Sequence, residues 1–405
     1  MTQIRRLKHV ADVRFSSVDK KTVDGQIDVK LCNYTDVYNN ERILSDIPFM
    51  DATATPDQIV AYTLRSGDVL LTKDSETADD IGVSAYVPHD LPGVLCGYHL
   101  AVARPRPLAI DGRYLRWALV STASRQQLEL AATGVTRFGL RQDAVGGVTI
   151  PVPSLREQVA IADYLDAETT RTDALVVAKR RSVALLSERC AAAIGHAVFG
   201  AIRGGVSRSD PLPHETRPLR GGPASWRRMP IKRIARMRAG EAITSESITD
   251  AGDYPVFGGN GVRGFTTEYT HNGEYVLIGR QGALCGNVNY ASGRFWASEH
   301  AVVVAPNPGV DVRWLGELLR TLNLNRLSQS AAQPGLSVEV LEGVEVEVPP
   351  ADEQQAIGDY LDTLTSRTDR LVARTVAQIT FILERRQALI TDAVNGRLGI
   401  SRVVA

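Results

Sequence analysis

A glycine-rich segment and a Cys/His pair are the first places where this sequence could carry catalytic chemistry. The spacing Gly259-x-Gly261-x-x-Gly264 matches a dinucleotide-binding fingerprint, but no buried strand is predicted before it and no helix after it. Glycine-rich turns are therefore the better interpretation. Cys96 and His99 lie close together, and we interpret them as core or loop residues rather than as a nucleophile pair.

Other catalytic motifs are missing from the sequence. It contains no Gly-Lys-Ser/Thr of a P-loop, no Asn/Asp-Pro-Pro-Tyr/Phe of an amino-methyltransferase, no His-Glu-x-x-His and no Gly-x-Ser-x-Gly. We therefore predict a chain with no catalytic residues and no metal ligands of its own.

The charged residues balance overall but not locally. The 405 residues include 46 Lys and Arg against 46 Asp and Glu, which excludes a uniformly basic surface. Apolar residues at 44% and charged residues at 23% predict a globular protein with a hydrophobic core. However, eight basic residues and no acidic residue lie between Arg217 and Arg238, and another basic run follows the N-terminus.

Neither the cysteines nor the apolar segments indicate an extracellular or membrane protein. Cys32, Cys96, Cys190 and Cys285 form no CxxC pair, which predicts isolated buried thiols rather than a zinc ribbon. No apolar run approaches the ~18 residues of a membrane helix, and the first residues contain no signal-peptide pattern. We therefore expect a cytoplasmic protein that does not enter the membrane.

The sequence contains a long-range internal repeat, which indicates the elements that position the functional residues. Residues 153–176 match residues 349–372 at an offset of 196, with 15 of 24 positions identical. Both copies contain the pattern Pro-x-x-x-Glu-Gln-x-x-Ile-x-x-Tyr-Leu-Asp. Such a match indicates a duplication.

Each repeated segment predicts a long amphipathic helix. Ser154 and Glu157 form a capping-box pattern at the start of the first copy. A three-four spacing then runs over 165–197 and again over 361–393, mostly of apolar and small residues but with polar residues in the middle. A helix over about 155–198 would be roughly 65 Å long and could not bury this seam alone. We predict that the two helices pack on each other as an antiparallel coiled coil with an internal pseudo-twofold repeat.

The segments before the helices predict two strand-rich domains of mixed structure, so the predicted fold class is α+β. Strands are predicted at 68–72, 274–278 and 301–305, and Asn272-Gly273 is a hairpin-turn signal. The predicted boundaries are 1–150 for the first domain, 151–200 for the first helical spacer, 201–221 for a linker, 222–350 for the second domain and 351–399 for the second helical spacer.

With these motifs in place, the chain resembles the specificity subunit of a type I restriction-modification system over its full length. The resemblance rests on the shared helix motif at 153–166 and 349–362. It also rests on Tyr254-Pro-Val-Phe-Gly-Gly-Asn-Gly-Val-Arg-Gly-Phe and Tyr275-Val-Leu-Ile-Gly-Arg-Gln-Gly. The first domain lacks the Phe-Gly-Gly-Asn-Gly stretch and is identified by its position. The resemblance implies two target-recognition domains separated by two helical spacers.

The resemblance also implies a division of labour among subunits. Each recognition domain would read one half of a bipartite, asymmetric target in double-stranded DNA. The helices would set the spacer between the halves and dock two modification subunits, which would bind S-adenosylmethionine. Restriction subunits would join this core and use ATP and Mg²⁺, while this chain would bind no cofactor.

Planar or polar side chains, several of them beside glycines, are the candidates for base contacts. In the second domain they are Asn260, Arg263, Arg280, Gln281, Asn287, Arg294 and His300, and in the first domain Lys73, Ser75, His99 and Arg137. Candidates for phosphate contacts in the basic run are Arg227, Arg228, Lys232 and Arg233. Candidates for contacts with partner subunits are Glu157, Gln158, Tyr164, Glu353, Gln354 and Tyr360. A turn or a solvated surface is the alternative role for each DNA-contact candidate.

Three other functions compete with this interpretation. The same kind of subunit could serve a methyltransferase that lacks the translocating nuclease. The zero net charge would also suit a coiled-coil adaptor that binds protein and not DNA. An enzyme using the glycine-rich turn to bind a nucleotide is the third.

Overall fold

The computed structural model describes residues 2–199, 225–328 and 335–400. The chain divides into two compact units: unit 1 is Met1–Arg180 with Ala377–Ala405, and unit 2 is Arg181–Val376. Helices and strands occur in both units, which confirms the predicted mixed helix and strand content.

Each unit contains parts of both long helices. The first long helix, Leu155–Val198, and the second, Ala351–Val394, both cross the unit boundaries. The compact units therefore divide the chain differently from the predicted domains and spacers, whose boundaries stay a prediction. The predicted linker 201–221 lies outside the described residues. Within the described ranges, no helix is long and apolar enough to cross a membrane.

Unit 1 is built around two four-stranded sheets and two strand pairs. In spatial order, the first sheet has Ala11–Phe15, Leu100–Pro105, Val69–Thr72 and Ser84–Tyr86, and the second has Met50–Ala54, Ile27–Cys32, Leu91–Cys96 and Thr63–Leu64. The strand pairs are Gln3–Arg6 with Thr149–Val152, and Asp74–Ser75 with Phe138–Gly139. Short helices span Leu7–Val10, Tyr34–Asn39, Pro56–Tyr62, Gly112–Val120, Thr122–Ala131 and Gln142–Gly147, with a 3-10 turn at Ala78–Asp80.

Unit 2 is built around one six-stranded sheet. In spatial order its strands are Ala235–Ala239, Ala301–Pro306, His271–Gly279, Val288–Ala297, Tyr254–Gly258 and Gly261–Thr266. A separate pair joins Arg227–Pro230 to Glu345–Val348. Short helices span Val312–Thr321 and Val338–Glu342, and 3-10 turns span Ile231–Arg233, Ser245–Ser247, Gly282–Leu284 and Leu324–Leu327.

The two units repeat the same local design where a short helix meets the core. Asp111 caps Gly112–Val120 by accepting the backbone N–H of Tyr114 at 3.0 Å. Asp311 caps Val312–Thr321 in the same way, accepting the N–H of Trp314 at 2.7 Å. Both aromatic rings are fully buried, so each cap directs a large apolar side chain into the core of its unit.

The long helices join these cores with apolar side chains. Ile161 and Leu165 of the first long helix and Ile390 of the second belong to the core of unit 1. Val198 of the first and Leu361 of the second belong to the core of unit 2. Leu165 and Ala197, and Leu361 and Ala393, which begin and end the predicted three-four spacing, are all buried.

The start of the first long helix confirms the predicted capping box. The Ser154 backbone N–H donates to the Glu157 carboxylate at 3.0 Å, and the Glu157 N–H donates to the Ser154 hydroxyl at 3.4 Å. The observed helix begins one residue later, as this pattern requires.

One turn prediction is wrong. Asn272 and Gly273 form no hairpin turn, because they pair with Arg294 and Gly293 inside two long antiparallel strands. All four cysteines are free thiols, as predicted; Cys32, Cys96 and Cys285 are buried, whereas Cys190 is only partly buried.

Candidate nucleic-acid interface

In unit 2, two predicted residues lie where the central strands end. Arg280 follows the strand His271–Gly279, and His300 precedes the strand Ala301–Pro306. The Arg280 backbone N–H donates to the His300 carbonyl at 2.8 Å. Both side chains are partly exposed, so they stand at this edge of the sheet without entering the core.

Two asparagines join the same edge. Asn260 lies in the tight turn between Tyr254–Gly258 and Gly261–Thr266. Its side-chain Oδ1 accepts a hydrogen bond from the Asn287 side-chain amide at 2.7 Å. The Asn287 backbone carbonyl in turn accepts the N–H of Gly279 at 2.8 Å. Hydrogen bonds therefore connect the turn to the strand His271–Gly279, which Arg280 follows.

Close backbone packing explains the glycines at this edge. A Cβ atom on Gly279 would lie 2.4 Å from the Gly259 carbonyl oxygen and 2.5 Å from that of Leu284. Only glycine permits such an approach. Of the three glycines in the spacing Gly259-x-Gly261-x-x-Gly264, only Gly259 lies in a turn, because Gly261 and Gly264 belong to the strand Gly261–Thr266. A strand and not a helix follows the turn, unlike in a dinucleotide-binding fingerprint.

Arg263 and Gln281 complete the group. Both side chains are exposed, Gln281 directly after Arg280 and Arg263 on the strand Gly261–Thr266. A Cβ atom on Gly258 would lie 3.0 Å from Cδ of Arg263, which places this side chain over the hairpin. The members of this group, called the unit 2 edge below, are Asn260, Arg263, Arg280, Gln281, Asn287 and His300.

Arg294 lies apart from the unit 2 edge. Arg294 is opposite Asn272 in the strand pair. The end of the strand that precedes Arg280 is marked by Ile278, which is opposite Val288. Val288 is six residues before Arg294, roughly 20 Å along the strand. The Arg294 guanidinium lies 5.0 Å from the centre of the Tyr269 ring, and a hydrogen bond with Tyr254 raises the pKa of Arg294. DNA contact by Arg294 stays a prediction, now for a separate surface.

Unit 1 presents a related arrangement, called the unit 1 edge. Lys73 follows the buried strand Val69–Thr72, and His99 precedes the strand Leu100–Pro105. The Lys73 backbone N–H donates to the His99 carbonyl at 3.1 Å. Nδ1 of His99 lies 2.8 Å from the Asp74 carboxylate, so this acid orients the imidazole ring.

The other two candidates of unit 1 lie beside this edge. Ser75 is only 5% exposed and pairs with Phe138 in a short strand pair. Its burial opposes a direct role in contacting bases, and gives the residue a structural place instead. Arg137, next to Phe138, is exposed and keeps its predicted role as a possible DNA contact.

The four candidate phosphate contacts, Arg227, Arg228, Lys232 and Arg233, precede the strand Ala235–Ala239 and lie at the opposite end of the unit 2 sheet. Ala235 pairs with Pro306, whereas Ala239 pairs with Val302 beside the edge. All four predicted phosphate contacts are exposed, but Arg228 forms a 2.6 Å salt bridge with Glu345. The structure therefore does not join Arg227, Arg228, Lys232 and Arg233 to the unit 2 edge, and their phosphate contacts stay a prediction.

In each unit, a glutamine of the shared helix motif connects the start of a long helix to the cap of a short helix earlier in the chain. The Gln158 side-chain oxygen accepts the Asp111 N–H at 2.8 Å, and its amide donates to the Pro153 carbonyl at 2.9 Å. Gln354 accepts the Asp311 N–H at 3.1 Å and donates to the Pro349 carbonyl at 2.9 Å. These side chains are 1% and 4% exposed, so burial opposes the predicted contact with partner subunits.

The remaining candidates for partner contact differ in exposure. Glu157 belongs to the capping box, and Glu353 lies partly buried in the first turn of the second long helix. Tyr164 packs partly against the core of unit 1, whereas Tyr360 is 43% exposed. Contacts of these four residues with partner subunits stay predictions.

Sequence reasoning missed the acids that hold the two histidines. Asp74 contacts Nδ1 of His99, and Glu299 contacts Nε2 of His300 at 3.2 Å. A signal was available, because each acid is adjacent in sequence to a candidate residue. Asn289, close to the hairpin at Gly261, was also missed.

The structure offers no nucleophile at the Cys96–His99 pair. Cys96 is fully buried, and burial raises the pKa of its thiol well above the ordinary value, so the thiolate is disfavoured. His99 is engaged by Asp74 instead. Across the described ranges, no group of three or more His, Cys, Asp or Glu residues is arranged to hold a metal ion.

Comparisons with known proteins agree with this architecture. Over 147 residues the chain is 45% identical to the type I restriction enzyme EcoprrI specificity subunit from Escherichia coli, covering 35% of this chain and 37% of that protein. A putative type I restriction enzyme specificity subunit from Haemophilus influenzae, S.HindORF215P, is 28% identical over 155 residues, 37% of this chain and 40% of that protein. These matches span about two fifths of the length of the curated relatives.

Solved structures show the same fold over nearly the whole chain. A chain from a study of complex assembly and conformational transition in the type I R-M system has a TM-score of 0.70 at 18% identity, covering 97% of both chains. The HsdS subunit from Thermoanaerobacter tengcongensis has a TM-score of 0.56 at 19% identity, covering 98% of this chain and 97% of that one.

The family model described as the type I restriction modification DNA specificity domain matches twice, at residues 3–182 and 223–380. These two matches cover most of the sequence and both repeats. The chain therefore belongs to the type I restriction-modification DNA specificity family.

Proposed function

We propose that this chain is the DNA sequence-specificity subunit of a type I restriction-modification enzyme. The observation that carries the proposal is the pair of edges: each unit presents one cationic side chain and one histidine where two central strands end. A bipartite DNA target needs two such reading surfaces in one chain. Family membership supports the same function.

The unit 2 edge has the chemistry that reading bases requires. An arginine can donate two parallel hydrogen bonds to O6 and N7 of guanine, and an asparagine or glutamine can pair with N6 and N7 of adenine. Arg280, Gln281 and Asn260 supply both types of group from turns that stand clear of the core. Each unit reads one half of an asymmetric target in double-stranded DNA.

The helices hold the two reading units, and we infer that they pack as an antiparallel coiled coil. Within unit 1, Asp173 of the first long helix forms a 3.0 Å ion pair with Arg386 of the second, and Lys179 donates to Gln378 at 2.7 Å. Residue numbers rise on one helix as they fall on the other, which is the order expected of antiparallel neighbours. The helix lengths then fix the unread spacer of the target.

Partner subunits supply the chemistry. Two modification subunits carry S-adenosylmethionine and methylate an adenine in each half of the target. Restriction subunits bind ATP and Mg²⁺ and cleave unmethylated DNA. This chain contributes recognition and scaffolding but no reacting group, and it works in the cytoplasm.

A binding experiment on the assembled complex tests the proposal. We expect Arg280→Ala to weaken binding of the target duplex by about 1–3 kcal/mol and to relax the preference at one base pair, because a bidentate contact is lost. The matched control is Arg233→Ala at the opposite end of the sheet, which would weaken all duplexes alike if it contacts phosphate. Gel shifts against target and random duplexes measure both. Equal affinity for target and random DNA in the unsubstituted complex would refute the proposed function.

A further inference from the structure

We propose that Lys73 and Arg280 are equivalent reading positions, each setting the preferred base at one place in its own half of the target. This inference rests on the proposed function and extends it to a single specificity-determining residue in each unit. The two residues share no sequence motif, so the equivalence comes from the backbone.

The strand register places the two residues identically. In unit 1, Thr72 pairs with Leu100, and Lys73 and His99 are the first residues beyond this pair. In unit 2, Gly279 pairs with Ala301, and Arg280 and His300 are the first residues beyond it. In both units the cationic residue donates its backbone N–H to the histidine carbonyl, at 3.1 and 2.8 Å.

A third segment repeats the same contact. The Lys73 carbonyl accepts the N–H of Leu140 at 2.8 Å, and the Arg280 carbonyl accepts the N–H of Leu336 at 2.9 Å. Leu140 and Leu336 are 196 residues apart, the offset of the helix repeat. Three chain segments therefore meet in the same hydrogen-bonding pattern in both units, and this pattern fixes where the cationic side chain begins.

The side chains differ in how sharply they can discriminate. The Lys73 ammonium lies 4.4 Å from the centre of the Tyr98 ring and 5.2 Å from that of Phe15, where cation–π attraction holds a compact charge. Arg280 carries a planar guanidinium whose parallel donors match guanine. Lysine cannot reproduce that fork, so the unit 2 position demands guanine more strictly than the unit 1 position.

The neighbouring histidines differ in the ring nitrogen that remains for DNA. Asp74 engages Nδ1 of His99 and leaves Nε2, whereas Glu299 engages Nε2 of His300 and leaves Nδ1. In neutral imidazole the nitrogen opposite a carboxylate-bound N–H is an acceptor, which suits the exocyclic amino group of adenine or cytosine. The two edges therefore share one framework but offer the acceptor from different ring nitrogens, Nε2 of His99 and Nδ1 of His300.

Reciprocal substitutions in the complex with the modification subunit test the inference. Lys73→Arg is expected to strengthen the preference for guanine at one position in one half of the target, roughly tenfold or more. Arg280→Lys is expected to reduce it about tenfold at one position in the other half. The matched control, Arg233→Lys, would leave both halves unchanged. Competition with duplexes varied at every position measures these preferences without requiring methylation.

The outcomes separate this inference from the function on which it rests. If the unsubstituted complex prefers one target while both substitutions leave every base preference unchanged, Lys73 and Arg280 are not reading positions. The same conclusion follows if both substitutions alter one half of the target. If the unsubstituted complex shows no sequence preference, the proposed function fails and the inference fails with it.

Discussion

At the scale of single residues, the buried glutamines Gln158 and Gln354 of the shared helix motif have a structural role. Gln354 satisfies the Asp311 N–H and the Pro349 carbonyl at once, while its neighbour Gln355 is exposed. The repeat identified both copies of this glutamine from the sequence. Its role could not be predicted, because its hydrogen-bond partner lies 43 residues earlier in the chain.

We expect Gln354→Leu to destabilise unit 2 by about 2–6 kcal/mol, because two backbone groups lose their buried partner at about 1–3 kcal/mol each. Gln355→Leu, on the exposed face, is the control and is expected to stay within about 0.5 kcal/mol. Hydrogen exchange of unit 2 amides measures the difference. Equal protection in the two variants would show that the Gln354 contacts do not support the unit.

At the scale of elements, Arg386 of the second long helix contacts both the first long helix and Glu41, which lies earlier in unit 1. Its guanidinium pairs with Asp173 at 3.0 Å and with Glu41 at 2.6 Å, and Arg116 lies 3.1 Å from the same glutamate. Burial alone would raise the pKa of Glu41, but the Arg116 and Arg386 guanidiniums outweigh burial and hold this pKa below its ordinary value.

We expect Arg386→Met to destabilise unit 1 by about 1–3 kcal/mol, less than a fully buried pair because Glu41 and Asp173 are half exposed. The neighbouring, exposed Arg385→Met is the control, expected within about 0.5 kcal/mol. A depressed carboxylate pKa stabilises at neutral pH, and this stabilisation is lost as pH falls through the folded-state pKa. Denaturant titrations measure the difference in unfolding free energy between the two variants, and we expect this difference to become smaller in acid. Equal unfolding free energies at neutral pH would contradict a stabilising role of Arg386.

Regular elements were predictable where the signal is local and repeated. The capping box and the three-four spacing predicted the first long helix as it is observed, and continuous apolar runs predicted the central strands. Asn272-Gly273 gave a wrong turn prediction, because a signal of two residues carries no information about pairing with distant residues. Here the residues on both sides of Asn272-Gly273 pair with the same strand. The separation of Arg294 and of the four candidate phosphate contacts from the unit 2 edge could not be predicted, since strand register decides which end of a sheet a residue occupies.

At the scale of the whole molecule, the zero net charge limits what the chain can do alone. Residues 1–150 contain 17 basic and 18 acidic residues, and residues 206–350 contain 15 of each. Tight binding to phosphates needs an excess of cations. The proposed function therefore assigns much of the affinity to partner subunits and the choice of sequence to the two edges.

We expect the isolated chain to bind its target duplex weakly and the complex with modification subunits to bind tightly, with affinity that falls steeply as salt rises. Fluorescence anisotropy of a labelled duplex across a salt series measures both. The control is a random duplex of equal length, which reports the non-specific share. Equal affinity with and without the partner would contradict the division of labour.

Methylome sequencing tests the central claim most directly. Cells that carry this chain with its modification partner are compared with cells in which only this chain is deleted. We predict a single asymmetric, bipartite motif with a methylated adenine in each half, lost on deletion and restored by the chain. A motif that persists unchanged without the chain would contradict its assignment as the specificity subunit.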